Sequence, residues 1–385
     1  MDSAFIYNKY VTGKNFIGRK AETTILANLI SSGESVSIYE APKTGTTSVI
    51  QQTLFNMRIQ GSRFNIGELS LLSTRTISRF LKQFGTAAIR AVATTPGEYS
   101  TIVERHLEGT HFVFDQKAFS ELDEILSLNW DIDDNDIRAV LRLPYLLAEE
   151  SGANLVIILD DFQNIMLTED GEKVCSIFEK TMKEMRDNGH NSCSFIFCGN
   201  MVNAMKYIFE HKRYFYRQVN RLELRPVEDK ESVEHITKGF LASGKVIDRD
   251  LLTGAARLFR GQLWYMNHFA AISDSLSKGY IMENVLMEAL SMLVAIHEPR
   301  FVATMNDLTT YQVSMLKAIL DGNTKFSTSD VISKYKLNSS ANVRRLKDAL
   351  CKKEIITFNE KDEPMLLDPL FEFWVRRDYF KMPTK

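Results

Sequence analysis

The segment Glu40-Ala41-Pro42-Lys43-Thr44-Gly45-Thr46-Thr47 carries the residue types of a loop that holds phosphate. In the pattern G-x-x-x-x-G-K-[ST], glycines bend the chain so that successive backbone N–H groups and a helix N-terminus point at phosphate oxygens. Gly45 and Thr47 satisfy two of its four fixed positions, whereas Glu40 stands at the first Gly and Thr46 at the Lys. Loss of a single charge-stabilising group in such a site typically costs about 3 kcal/mol of barrier, so hydrolysis is expected to be slow or absent. Lys43 lies within the loop and offers a substitute cation. A strand-turn-helix without a ligand is the alternative reading.

The run Asn154-Leu155-Val156-Ile157-Ile158-Leu159-Asp160-Asp161-Phe162-Gln163 is an apolar strand ending in two carboxylates. In a phosphate-transfer site the first carboxylate holds Mg²⁺, usually through water, and the loop hydroxyl supplies another ligand. Asp160 and Thr47 take these metal roles, and Asp161 follows as the candidate base, one methylene shorter than the Glu more usual there. Twin aspartates that merely cap the next helix are the alternative.

The elements around these motifs have the expected order. Strand-length apolar runs alternate with helical patterns through the first two thirds, the signature of βαβ units around a parallel sheet. Strands are expected at Ser35–Ala41, 65–72, Leu155–Asp160, Ser194–Gly199 and Arg221–Leu224, with a helix at Ser48–Ile59 beginning behind the loop. Pro226 ends the alternating part. Residues 227–306 read as a helical lid. Beyond them, helices Tyr311–Leu320, Ser329–Tyr335 and Ser340–Lys353, then strands Ile355–Phe358 and 365–367, read as a winged helix. The expected fold is thus an α/β P-loop sheet domain over 1–226, a lid over 227–306 and a winged-helix domain over 307–385.

With 385 residues, 44% hydrophobic and 25% charged, the chain has globular composition and room for two or three domains. Its formal charge of -2 lacks the net basic balance of the simplest nucleic-acid binders. No stretch approaches the roughly 18 consecutive apolar residues of a membrane helix, and MDSAFIYNKY has no signal-peptide pattern. Cys175, Cys193, Cys198 and Cys351 form no CxxC pair and read as free thiols in a reducing cytoplasm. Seven histidines show no ligand spacing, and Asp131, Asp133, Asp134 and Asp136 lack the Gly and Glu of a calcium loop, so a solvated loop and helix cap are expected there.

Phe16-Ile17-Gly18-Arg19-Lys20-Ala21-Glu22, placed before the loop strand, resembles the F-x-G-R-x-x-E box of archaeal and bacterial STAND-class P-loop ATPases, relatives of AAA+ proteins. The resemblance implies that Gly18 and Arg19 lie near an adenine and that Pro42, Lys43, Thr44, Gly45, Thr46, Thr47 and Ser48 wrap the phosphates of ATP or ADP with Mg²⁺. It further implies that Asn200 is the polar sensor closing the fourth strand and that Arg217 is the sensor arginine, with Arg213 and Arg221 competing. The family's G-x-P box appears as Gly261-Gln262-Leu263, with Leu replacing Pro. Glu40, Thr46, Asp161 and Leu263 depart from the family pattern in one direction, toward a switch with weakened chemistry.

In the winged helix, Arg344, Arg345, Lys347, Lys352 and Lys353 lie on the position of a recognition helix, while Glu354, Glu360, Asp362 and Glu363 surround the wing with carboxylates. Opposed charges favour docking within the protein over duplex DNA. The expected function is a nucleotide-binding molecular switch with a protein partner or self-association. An active ATPase and a DNA-binding regulator are the alternatives.

Overall fold

The computed structural model describes residues 4–382. The chain separates into two compact units. One, the sheet unit, comprises Lys20–Glu40 and Val49–Leu224; the other, the lid unit, comprises the N-terminal segment through Arg19, the loop Ala41–Ser48 and everything from Arg225 onward.

In the sheet unit, β1 (Ser35–Tyr39), β2 (Phe64–Ser70), β3 (Asn154–Asp160), β4 (Cys193–Gly199) and β5 (Val219–Arg221) form one parallel sheet in the order β2-β3-β4-β1-β5. The centre is apolar because helices cover both faces of such a sheet, and β1 and β4 are buried over their whole length. Register runs from Phe64↔Asn154 to Ser70↔Asp160, from Leu155↔Cys193 to Leu159↔Phe197, and from Val36↔Ile196 to Tyr39↔Gly199. These pairings bring the ends of β1, β3 and β4 to one edge, where parallel sheets present their ligands.

The fifth strand comes two residues earlier than the apolar pattern at Arg221–Leu224 suggests. Leu222 and Leu224 are buried, yet the ladder stops after the Leu222 N–H reaches the Ser37 carbonyl at 3.0 Å. Burial there comes from packing rather than pairing. An aromatic cluster fixes β4 from one side: ring centroids are 4.7 Å apart for Phe162 and Phe197, 5.0 Å for Phe197 and Phe215, and 5.1 Å for Phe178 and Phe195. Asp133 and Asp136 form the expected capping box at the start of helix Asp134–Ser151. Asp136 is buried rather than solvated, because its carboxylate also accepts the His111 backbone N–H and faces His111 Nδ1, both at 2.8 Å.

In the lid unit, helices Asp229–Ala242, Arg249–Leu258, Leu263–Leu276 and Glu283–Asn306 precede the winged helix. The latter has helices Thr310–Leu320, Ser329–Tyr335 and Ser340–Lys352, followed by antiparallel wing strands Ile356–Phe358 and Pro364–Leu366. The long helix carries Pro299 internally, and Thr309 opens the next one with a capping box closed by Gln312. One apolar cluster runs from Phe240 and Phe269 through Leu350 to Trp374, so lid and winged helix share a core. Phe371 and Trp374 pack on the long lid helix, each within 5.6 Å of the Phe301 ring centre. No helix among the described residues is long and apolar enough to cross a membrane.

Two glycines make a close approach possible inside this unit. Gly18 and Gly261 have φ of +67° and +68°, a left-handed conformation that a side chain disfavours. Both meet Val227: a Cβ on Gly18 would lie 3.1 Å from a Val227 methyl, and one on Gly261 only 2.4 Å from the Val227 carbonyl oxygen. The box before the loop and the lid's Gly261 therefore converge on one residue. Gly261→Ala should destabilise the lid unit by about 2 kcal/mol or more, combining left-handed strain with overlap against backbone. Urea unfolding followed by circular dichroism would check this; an unchanged midpoint would contradict the close approach.

Candidate nucleotide site

The candidate phosphate loop begins where β1 ends. Glu40, at the position of the first consensus glycine, does not have a positive φ, so the backbone needs no glycine there. Its side chain has a different task. Glu40 Oε1 accepts from Arg221 Nη2 at 2.8 Å and from the Leu224 N–H at 3.0 Å, and Arg221 also donates to the Tyr39 carbonyl at 2.8 Å. The Arg221 guanidinium carbon lies 3.7 Å from the Tyr39 ring centre, while the Tyr39 hydroxyl donates to Glu210 at 2.7 Å. Burial, first, and then the Glu210 bond push the Tyr39 hydroxyl pKa well up. Arg221 is thus committed to the end of β1, which removes it from the competing sensor arginines.

Within the loop, Lys43 and Gly45 have φ of +70° and +96°, and the helix starts at Thr46, two residues before the expected Ser48. Starting there makes Thr46, Thr47 and Ser48 the first helical turn, whose N–H groups have no intrahelical acceptor. Among the described residues the one backbone bond closing the loop runs from the Thr44 N–H to the Ala41 carbonyl, 3.3 Å. Among the described residues no acceptor meets the amides of Gly45, Thr46 or Thr47. Successive free amides at a helix start form an anion-binding arrangement. Arg19 approaches the same loop: its Nη1 would be 3.3 Å from a Cβ on Gly45, and its Nε donates to the Arg225 carbonyl at 3.2 Å. Ser48 Oγ accepts the Val11 N–H at 3.1 Å. Gly18, Arg19, Gly45, Ser48 and Gly261 are therefore assembled in one unit, with Pro42 exposed on the loop's outer side.

Lys43 is held by residues that follow Gly261. Its ammonium sits 4.0 Å from the Trp264 ring centre, 4.7 Å from that of Tyr265 and 3.4 Å from the Tyr265 hydroxyl. Burial, aided by nearby Arg300, lowers its pKa to about 8 against the opposing pull of Asp368. Tyr265, Arg300 and Asp368 form a second layer: the Tyr265 hydroxyl donates to Asp368 at 2.9 Å, and Arg300 Nη2 lies 2.7 Å from the same carboxylate. Sequence reading passed over these roles. The only available signals were the pair Trp264-Tyr265 directly after the glycine box and the Asp that opens Asp368-Pro369-Leu370.

In the sheet unit, Asp160 and Asp161 stand at the end of β3. Asp161 has a left-handed φ of 53° and takes the Asp160 carboxylate on its own N–H at 2.9 Å. Its Oδ1 accepts from Asn200 Nδ2 at 3.0 Å and Gln163 Nε2 at 3.3 Å, and Ser70 Oγ donates to its Oδ2 at 3.2 Å. Asn200 thus touches Asp161 directly, and Ser70 and Gln163 complete a network that the linear motif does not show. Burial and then Asp161 raise the Asp160 pKa; burial and then Asp160 raise that of Glu68. No lysine or arginine pairs with Glu68, Asp160 or Asp161 among the described residues. Uncompensated hard oxygens of this kind fit a divalent cation such as Mg²⁺.

Arg217 lies on an exposed turn, not in this network. It and Arg213 flank Tyr216, with guanidinium carbons 5.3 and 4.2 Å from its ring centre. Arg213, Phe215 and Arg217 all have positive φ, and buried Phe215 anchors the turn that presents both arginines.

A family model described as a probable winged helix domain matches residues 299–377. No curated protein sequence matches the chain. Among solved structures, a Walker-type ATPase of Pyrococcus abyssi is similar over 97% of this chain and 99% of its own, with a TM-score of 0.67 and 13% identity. The Aeropyrum pernix ORC2 protein, solved as ADPNP–ADP complexes, is similar over 95% of this chain and 93% of its own, with a TM-score of 0.57 and 12% identity. Cdc6p from Pyrobaculum aerophilum follows, with 96% and 95% coverage, a TM-score of 0.50 and 12% identity. The fold is that of AAA+ P-loop ATPases, an α/β protein with a parallel five-stranded sheet and a C-terminal winged helix.

The raised pKa of Asp160 yields a prediction with a definite sign. A carboxylate whose folded pKa exceeds its unfolded value costs nothing below the unfolded pKa, and its penalty is complete above the folded one, so stability falls as pH rises through that interval. Asp160→Asn should therefore raise the melting temperature at neutral pH by about 2 °C or more while making it insensitive to added Mg²⁺. A lower melting temperature with Mg²⁺ stabilisation intact would contradict the assignment.

Proposed function

We propose that the chain is an ATP- or ADP-binding molecular switch of the STAND type, with weak or absent hydrolysis. The observation that carries this reading is the row of free amides at Gly45, Thr46 and Thr47, facing no protein acceptor at the start of a helix. Gly18, Arg19, Pro42, Lys43, Thr44 and Gly261 are assigned to nucleotide binding with them. Thr47 and Asp160 would hold Mg²⁺, and the metal would supply charge neutralisation for the phosphates. Asp161, steered by Asn200, Gln163 and Ser70, orients water or substrate oxygen; Arg217 is the sensor arginine on its exposed turn.

Slow chemistry follows from Thr46, which brings a hydroxyl where a fixed cation would face the β/γ-phosphates. Duplex DNA is not favoured as partner, because the recognition helix spends part of its charge internally. Lys347 lies 3.6 Å from Asp362 and 4.2 Å from the Phe358 ring centre, and Lys353 pairs with Asp307, leaving Arg344, Arg345 and Lys352. Three cations give little affinity at physiological salt. A protein partner or a second copy of the chain fits the switch better.

Isothermal titration calorimetry with Mg-ATP and Mg-ADP tests the reading. Both should bind at millimolar concentration or below, and Thr46→Lys should tighten ATP about tenfold or more, the worth of one restored charge-assisted contact. A folded protein that binds neither nucleotide would end the proposal and leave a scaffold.

A further inference from the structure

Lys43 is a cation without a counter-anion. The cluster around it contains two side-chain cations, Lys43 and Arg300, and one carboxylate, Asp368, whose oxygens already serve Arg300, the Tyr265 hydroxyl and the N–H groups of Leu370 and Phe371. Among the described residues Lys43 forms no ion pair, and its one polar contact is the 3.4 Å approach to Tyr265. Histidines complete the surroundings without adding negative charge. The His268 and His297 rings lie 5.2 and 5.7 Å from that of Trp264, and His268 Nδ1 and His297 Nε2 are buried without hydrogen-bond partners. Tyr7 stacks on His268 at 4.2 Å, closing the apolar side.

The residue bearing this cation sits two positions before Gly45 in the loop whose amides are free, on a flexible four-carbon stem. Held on aromatic faces, an ammonium gains about 0.5–2 kcal/mol. Against a phosphate dianion it would make a charge-assisted hydrogen bond roughly twice as strong as a neutral one. Of the two contacts, the one with phosphate is the stronger in general.

We propose that Lys43 is the loop's movable phosphate cation, that Trp264 and Tyr265 compete with the terminal phosphate for it, and that this competition sets the preference between nucleoside tri- and diphosphate. The inference rests on the nucleotide-binding reading and deepens it: the charge missing at Thr46 is supplied from three positions upstream, under control of the lid. The same movement would signal. When Lys43 leaves, the Tyr265 hydroxyl loses an ammonium and keeps Asp368, which caps helix Pro369–Trp374 beyond the wing strands. Nucleotide identity at the loop is then felt at the end of the winged helix.

The test is calorimetric titration of the full chain with Mg-ATP and Mg-ADP for wild type, Lys43→Met, Trp264→Leu, the milder Trp264→Phe, and the double variant Lys43→Met/Trp264→Leu, each checked by circular dichroism. Lys43→Met should weaken ATP about tenfold and ADP less than twofold. Trp264→Leu should tighten ATP about fivefold with little change for ADP; Trp264→Phe, a weaker cation host, should do the same to a smaller extent. The double variant should show no gain. If wild type binds neither nucleotide, the underlying reading fails and this one with it. If wild type binds both but Lys43→Met leaves their ratio unchanged, or if the Trp264 variants shift both affinities equally, the nucleotide reading stands and the movable cation is refuted.

Discussion

A strand that turns within a few residues into a helix leaves backbone donors that the protein itself cannot satisfy, and the rest of the site is organised around that constraint. Among the described residues the amides of Gly45, Thr46 and Thr47 face no acceptor, because the helix begins at Thr46 and the preceding turn closes only at Thr44. Keeping them in that state requires the loop to be held from elsewhere. The end of β1 is pinned by Glu40 and Arg221, and in the lid unit Lys43 is pinned on Trp264 and Tyr265. Ser48 receives the N-terminal segment through Val11, and Arg19 lies against Gly45. Each anchor is a side-chain contact, so the backbone donors stay free for an anion.

The departures from the consensus acquire a physical meaning in this frame. Glu40 replaces a glycine at a position where φ is ordinary, and its carboxylate ties the strand end to the chain after β5. It costs the loop no strain. Thr46 is different in kind, since nothing in its own position restores the charge. Asp161 is shorter than the Glu more usual beside a metal-binding carboxylate, yet three donors fix its orientation.

The sheet was legible because its strands are buried on both faces: runs such as Leu155–Leu159 and Phe195–Cys198 have one reading as short central strands. The winged helix was legible from turn chemistry and helix spacing, with observed ends within a residue or so of those expected. The fifth strand was misplaced because Leu222 and Leu224 are buried by packing beyond the ladder. The loop and both aspartates could be singled out as candidates because their motifs are local in sequence. What the sequence hid is whatever depends on distant residues: Gln163 and Ser70 on Asp161, Val227 against two glycines, and the link from Lys43 through Tyr265 to Asp368, which joins positions more than 300 residues apart. No periodicity reports such partners.

The central claim, that free amides of residues 45–47 bind the phosphates, is most directly tested by hydrogen–deuterium exchange across the segment 41–50, with and without saturating Mg-ADP. Amides that hydrogen-bond to phosphate exchange slowly, so the account predicts protection at Gly45, Thr46 and Thr47 that inorganic pyrophosphate alone also confers. Unchanged exchange at these three positions, in a protein shown by calorimetry to bind the nucleotide, would place the phosphates elsewhere and contradict the account.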